Sequence, residues 1–248
     1  MKKRTCIGIL GGVGPQATEY LYKKIMSGAV ERYGAQENHH FPRLLIISEP
    51  VIDFISSTQH LPKAKIQVLQ AVKRLIAGGA THVAIASNTV HLLLGDVQKL
   101  CSKHSVTFIS MLDAVSDYCC SKRYMQVGLL GSPVILQSNI YDTVLKKNEV
   151  TLMKPPEAEF EQLGCIIKAV IADSVTESDT NNFLVLVTEL VKDVDAVVLG
   201  CTELPVLASK LELSCPVVDT SDVLADTLLQ VFYATQTHAK KNTKEYTV

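Results

Sequence analysis

The chain has 248 residues, 47% of them apolar and 20% charged, with 24 Lys and Arg against 25 Asp and Glu. A formal charge of −1 and a pI near 6.6 leave no basic footprint for nucleic acid. The absence of Trp and an aromatic content of 6% count against a carbohydrate-stacking surface, and no apolar run reaches the roughly 18 residues that cross a bilayer.

Lys2, Lys3 and Arg4 ahead of an apolar run imitate the start of a signal peptide, but Gly11, Gly12, Gly14 and Pro15 interrupt the run, so no cleaved leader is expected. Apolar, β-branched runs predict strands over 5–10, 44–48, 82–86, 107–109, 126–130, 196–199 and 216–218. Helical spacing predicts helices over 17–30, 64–77, 90–100, 159–171 and 182–192, with a carboxyl-terminal helix near 222–234. Short buried strands alternating with helices make βαβ units, so the class is α/β with mostly parallel sheets covered on both faces. The polar tail, 237–248, is read as frayed.

Seven cysteines without a CxxC pair or a Cys/His zinc-finger spacing signal neither a disulfide framework nor a metal site. Reduced thiols in a cytoplasmic protein are expected. Cys6, Cys101, Cys119, Cys120 and Cys165 read as packing or surface residues, and His39, His40, His60, His82 and His104 as solvated or core-satisfied side chains.

Three landmarks of the first half return in order in the second. Ile7-Gly8-Ile9-Leu10-Gly11 resembles Val127-Gly128-Leu129-Leu130-Gly131, each followed by a helical Tyr (Tyr22, Tyr141). Val83 to Thr89 resembles Val197 to Glu203, and Phe108 to Asp113 resembles Val217 to Asp222, at offsets of 120, 114 and 109 residues. Offsets that shrink steadily describe one duplicated unit with loop deletions. Two such lobes are expected over 1–116 plus 217–236 and over 117–216. Facing each other, they bring the carboxyl ends of equivalent strands to one cleft, where ligands of open α/β sheets bind, and set Ser87 opposite Cys201.

Three local motifs compete for a functional reading. Gly12-Val13-Gly14-Pro15-Gln16-Ala17 fits the G-x-G-x-x-A of dinucleotide binding, but the acid at the end of the second strand, Glu49, lies too far on, and Pro15 sits where an amide should meet pyrophosphate. A tight strand-to-helix turn is the better account. Ser87 and His91 share a helix face, yet Ser87 has no flanking glycine and so no G-x-S-x-G elbow; His91 then reads as a helix-start residue bonding a neighbouring loop. Cys201 follows Val197-Val198-Leu199-Gly200 and precedes a helix entered through Thr202-Glu203-Leu204-Pro205. A thiol at a strand end and a helix start meets free backbone amides, which are expected to lower its pKa, while Gly200 lets the backbone turn.

Gly11 to Thr18, Ser87-Asn88-Thr89-Val90-His91, Leu199-Gly200-Cys201-Thr202-Glu203-Leu204-Pro205 and Val218-Asp219-Thr220 together resemble the aspartate/glutamate racemase family over nearly the whole chain. The resemblance implies a homodimeric isomerase of the aspartate racemase type that uses neither pyridoxal phosphate nor any other cofactor. It implies Cys201 as one catalytic thiol and Gly12, Asn88, Thr89, Ser132, Thr202 and Glu203 as substrate-binding residues for a small amino acid. Two sulfurs on opposite faces of Cα can serve alternately as base and acid. Here Ser87 stands where the resemblance implies the other catalytic cysteine, Phe54 where it implies Arg after Asp53, Val134-Ile135 in place of Gly-Thr, and Ala172, with Lys168 one turn away, in place of Lys. The alternative is a family member that binds an amino acid or small carboxylate without turnover.

Overall fold

In the computed structural model, residues 4–208 and 213–244 are described, so Lys2, Lys3 and the last residues of the tail lie outside the described part. Strand β1 (Ile7–Gly11) runs into α1 (Pro15–Tyr33), followed by β2 (Leu44–Ser48), α2 (Leu61–Ala77), β3 (His82–Ile85), α3 (Leu94–Lys103), β4 (Thr107–Ile109) and α4 (Met111–Ser121). The second series is β5 (Gln126–Gly131), α5 (Pro133–Gln137), α6 (Ile140–Lys146), β6 (Thr151–Met153), α7 (Phe160–Ile171), α8 (Glu177–Leu190), β7 (Ala196–Gly200), α9 (Leu204–Ala208), β8 (Val217–Asp219) and α10 (Thr220–Lys244).

Two four-stranded sheets result, ordered β2-β1-β3-β4 and β6-β5-β7-β8, all pairs parallel. The duplication extends to register. Val83 pairs with Phe108 as Val197 pairs with Val217, and Ile7 pairs with His82 as Val127 pairs with Ala196. The caps repeat too: the Ser110 hydroxyl accepts from the Asp113 amide at the start of α4, and the Asp219 carboxylate accepts from the amides of Ser221 and Asp222 at the start of α10.

Each lobe buries its sheet between helices. Ile7 and Ile9 of β1 pack with Leu21 and Ile25 of α1 and with Leu224, Leu228 and Phe232 of α10, while Leu10 and the other face of β3 pack on Val68, Val72 and Leu75 of α2. The second core joins Leu129 and Val198 to Leu163, Ile167 and Phe183. Helix α4 spans the two, with Met111 in the first core and Leu112, Val115 and Cys119 in the second.

Several elements differ from expectation. Strand β6 is absent from the predicted set because it is a three-residue edge strand, partly exposed, with no alternation long enough to read. The helix predicted over 90–100 begins as a 3-10 turn, Thr89–Leu93, and becomes α-helical only at Leu94. The carboxyl-terminal helix expected near 222–234 is α10, assigned over Thr220–Lys244. No described helix is long and apolar enough to cross a membrane.

Candidate active site

The glycine turn after β1 is a structural device. Gly12 and Gly14 both take positive φ (81° each), and Pro15 opens α1. A side chain on Gly12 would strike the Glu49 backbone at 2.5 Å, and the Gly12 amide donates to Thr18 Oγ1 at 2.9 Å. The turn thus locks β1, β2 and α1 together, and Gly12 itself is committed to that packing.

Ser87 and Cys201 follow the ends of β3 and β7, the equivalent inner strands, and each is 6% exposed. A buried relay ties their two loops together. The Tyr141 hydroxyl donates to Asn88 Oδ1 at 2.5 Å, Asn88 Nδ2 donates to Thr220 Oγ1 at 3.0 Å, and Thr220 Oγ1 donates to the carbonyl of Leu199 at 3.0 Å. Asn88 is next to Ser87, and Leu199 is two residues before Cys201. The ring of Tyr141 also lies against Gly200, with Cε2 3.6 Å from where a Cβ would sit. Thr89 Oγ1 and Ser132 Oγ share a second inter-lobe bond at 3.2 Å.

His91 is buried and fully committed. A carbonyl can only accept, so Nδ1–H donates to the Ser87 carbonyl at 2.7 Å, and Nε2 accepts from the Met111 amide at 3.1 Å. Desolvation pushes its pKa down to about 4. The imidazole is neutral and has no nitrogen left to activate the Ser87 hydroxyl, which removes the serine-hydrolase reading and explains the tight first turn after Asn88.

The Cys201 half is built differently. Cys201 Sγ donates to Glu203 Oε2 at 2.9 Å, and Thr202 Oγ1 donates to the same oxygen at 3.1 Å. Glu203, 6% exposed, reaches the other lobe, where its Oε1 lies against Gly14. The positive φ of Gly14 favours glycine there, and the missing side chain leaves room for the carboxylate. Burial, and then the Glu203 charge, hold the Cys201 thiol well above its ordinary pKa, outweighing the backbone amides of Glu203 and Thr202 that favour the thiolate. The lowered pKa expected from the helix start is corrected accordingly: burial, reinforced by the acid two residues on, reverses the sign. Gly200 also has a different role from the one expected, because a Cβ there would meet Leu129 Cδ1 at 2.7 Å; it serves strand packing rather than a turn.

Sequence reasoning placed Asn88, Thr89, Ser132, Thr202 and Glu203 in one site, and all are buried at the meeting edges of the lobes. It missed Tyr141 and Thr220 as site residues, although the Tyr repeat and the Asp-Thr after β8 marked both positions. Glu203, expected among the substrate-binding residues, accepts from the Cys201 thiol. Away from the cleft, Glu37, His39 and His40 form a cluster near enough to share a metal ion, but His40 Nδ1 already accepts from the amides of Gln36 and Glu37.

Two duplicated α/β lobes, with a buried thiol–carboxylate pair after β7 and buried Ser87 after the equivalent strand β3, define a two-lobed racemase fold. The family model described as Asp/Glu/hydantoin racemase matches residues 10–228, and the chain belongs to that family. It is 23% identical over 232 residues to the broad-specificity amino-acid racemase RacX of Bacillus subtilis, covering 93% of this chain and 99% of that one. An aspartate racemase homologue from Pyrococcus horikoshii superposes with a TM-score of 0.73 at 28% identity, covering 93% of this chain and 99% of the other. The aspartate racemase of Picrophilus torridus shares the fold, with a TM-score of 0.76 at 22% identity over 92% of this chain and 94% of its own.

Proposed function

We propose that the protein is a cofactor-independent amino-acid racemase, with acid–base chemistry concentrated on one face of the substrate. The observation that carries this reading is the 2.9 Å hydrogen bond from Cys201 Sγ to Glu203 Oε2 in a buried site. Glu203 takes the thiol proton, the resulting thiolate removes the proton from Cα, and the electron pair of the broken C–H bond moves into the adjacent carboxylate as an enolate. Thr202 and the backbone amides beside it stabilise the charge on sulfur. Return of the proton from Cys201 to the same face regenerates the starting enantiomer; a proton delivered to the far face completes inversion.

The far face belongs to Ser87. Its hydroxyl is a far weaker acid than a thiol, and His91 has no free nitrogen to help it, so inversion requires a water or another donor above Ser87. Exchange of the α-proton with solvent is therefore expected to outrun inversion. The relative RacX is named for broad specificity towards amino acids, which supports screening beyond aspartate and glutamate.

The test is solvent deuterium incorporation at Cα, measured by NMR for a panel of L- and D-amino acids with the parent chain and with Cys201→Ala. The reading expects incorporation by the parent and none by Cys201→Ala. If neither incorporates deuterium while amino acids still bind, the protein is a binding member of the family without turnover.

A further inference from the structure

The charge inventory of the cleft bears on which amino acid it accepts. Among the described residues, the buried polar and charged side chains include Ser87, Asn88, Thr89, Ser132, Thr202 and Glu203 but no Lys or Arg. The half-buried lysines are committed elsewhere, Lys24 to Asp222, Lys65 to Asp96 and Lys154 to Asp142. His91, with its pKa near 4, adds no cation at neutral pH. Glu203 is thus the ionisable acid of the site, with no fixed positive charge beside it. A substrate with one ammonium and one carboxylate leaves the buried ensemble with a single net negative charge. A dicarboxylic amino acid adds a second carboxylate with nothing to pair it, and an unpaired buried charge is strongly unfavourable.

The seam between the lobes shows what is offered instead. The Val134 amide donates to the Ile55 carbonyl of the other lobe at 3.3 Å, two residues along from the Ser132 hydroxyl that bonds Thr89. Phe54 and Val134 are each 3% exposed and Ile135 is fully buried. Phe54 belongs to the core of the first lobe and Ile135 to that of the second, while Val134 belongs to neither. The seam beside the Ser132–Thr89 bond is therefore bordered in sequence by buried apolar residues of both lobes.

We propose that the substrate is an amino acid with an uncharged, apolar side chain, seated toward Phe54, Val134 and Ile135, and that aspartate and glutamate are rejected. The proposal rests on the racemase reading of the same cleft, and its test separates the two. Two readouts are taken on the full chain with alanine, valine, leucine and methionine against aspartate and glutamate, in both enantiomers: Cα deuterium exchange, and protection of Cys201 from iodoacetamide at alkaline pH, where the reactive thiolate fraction grows. Apolar amino acids are expected to exchange at least about tenfold faster than either acid and to protect Cys201 where the acids do not. Val134→Arg, which adds a cation at the seam, is expected to move the ratio toward the acids by at least about tenfold, with Val134→Thr as the milder replacement if the arginine variant does not fold. Faster exchange or stronger protection by aspartate or glutamate than by every apolar amino acid overturns the proposal. Protection by apolar amino acids without any exchange upholds the ligand class and overturns the racemase reading; no protection by any amino acid overturns both.

Discussion

The two halves of the cleft share a backbone and differ in chemistry. Strands β3 and β7 hold the same place in sheets of the same order and register, and each is followed by a buried loop residue, Ser87 or Cys201. In the second lobe the residue two positions on is Glu203, bonded to the thiol; in the first lobe the matching position is Thr89, bonded to Ser132. The first loop is also anchored by a neutral histidine, His91, through the Ser87 carbonyl. One loop therefore carries a thiol bonded to a carboxylate, and the other carries hydroxyls held in a fixed frame. A duplicated fold preserves geometry far more readily than it preserves reactivity, because sheet register depends on apolar patterning whereas reactivity depends on single atoms.

The comparison breaks most severely at Cys201. Cys201→Ala removes the one thiol of the site among the described residues, and Cα exchange is expected to fall by about 10² to 10⁴-fold, the usual worth of a positioned acid or base, in an NMR exchange assay. Ser87→Cys works in the opposite direction by giving the first half-site a thiol. The inversion rate, followed by polarimetry or chiral chromatography, is expected to rise by more than about tenfold while exchange stays near the parent value.

Glu203→Gln separates two properties that usually move together. The substitution removes both the thiol's base and the negative charge that holds the thiol up. Exchange is expected to fall by about 10²-fold, while alkylation of Cys201 near pH 8 becomes faster than in the parent, read by peptide mass after timed labelling. Exposed Cys120 and Cys165 label first in either protein and serve as the internal reference.

Smaller effects fall on the frame. Tyr141→Phe leaves Asn88 Oδ1 without its buried donor and is expected to cost about 1 to 3 kcal/mol of stability in chemical denaturation. The pH dependence comes from His91, whose folded-state pKa, about 4, lies below its ordinary value of about 6.5. The unfolded chain binds the proton first, so the stability contributed by neutral His91 is complete above about pH 6.5 and is lost as pH falls toward 4. Denaturation midpoints measured across that range are expected to drop in the parent and to flatten in His91→Gln.

Much of the fold was legible because it is written in repetition. The three landmark offsets reproduce the observed strand pairings residue for residue, since a strand buried on both faces must keep its apolar run and its glycine contacts. Elements with weak patterning escaped: β6 is three residues at a sheet edge, and α5 and α6 are five- and seven-residue helices divided at Ser138-Asn139. Within the site, the strand-end residues could be read from Gly-Cys-Thr-Glu and its repeat. The protonation of Cys201 could not, because burial and a nearby acid oppose the helix start, and neither the burial nor the 2.9 Å contact can be read from the string of residues. Tyr141 escaped for a related reason: the repeat marks its position, but its repeat partner Tyr22 is 46% exposed, so the pair of tyrosines does not reveal that Tyr141 is buried and bonded to the opposite lobe.

The central claim, that one half-site carries the acid–base chemistry and the other has lost it, is tested most directly by the ratio of Cα deuterium exchange to inversion for one enantiomerically pure substrate in D₂O. The parent chain is expected to exchange at least about tenfold faster than it inverts, and Ser87→Cys to bring the two rates together. Equal rates of exchange and inversion in the parent, unchanged by Ser87→Cys, would contradict the claim, because they require a competent proton donor on the Ser87 face already.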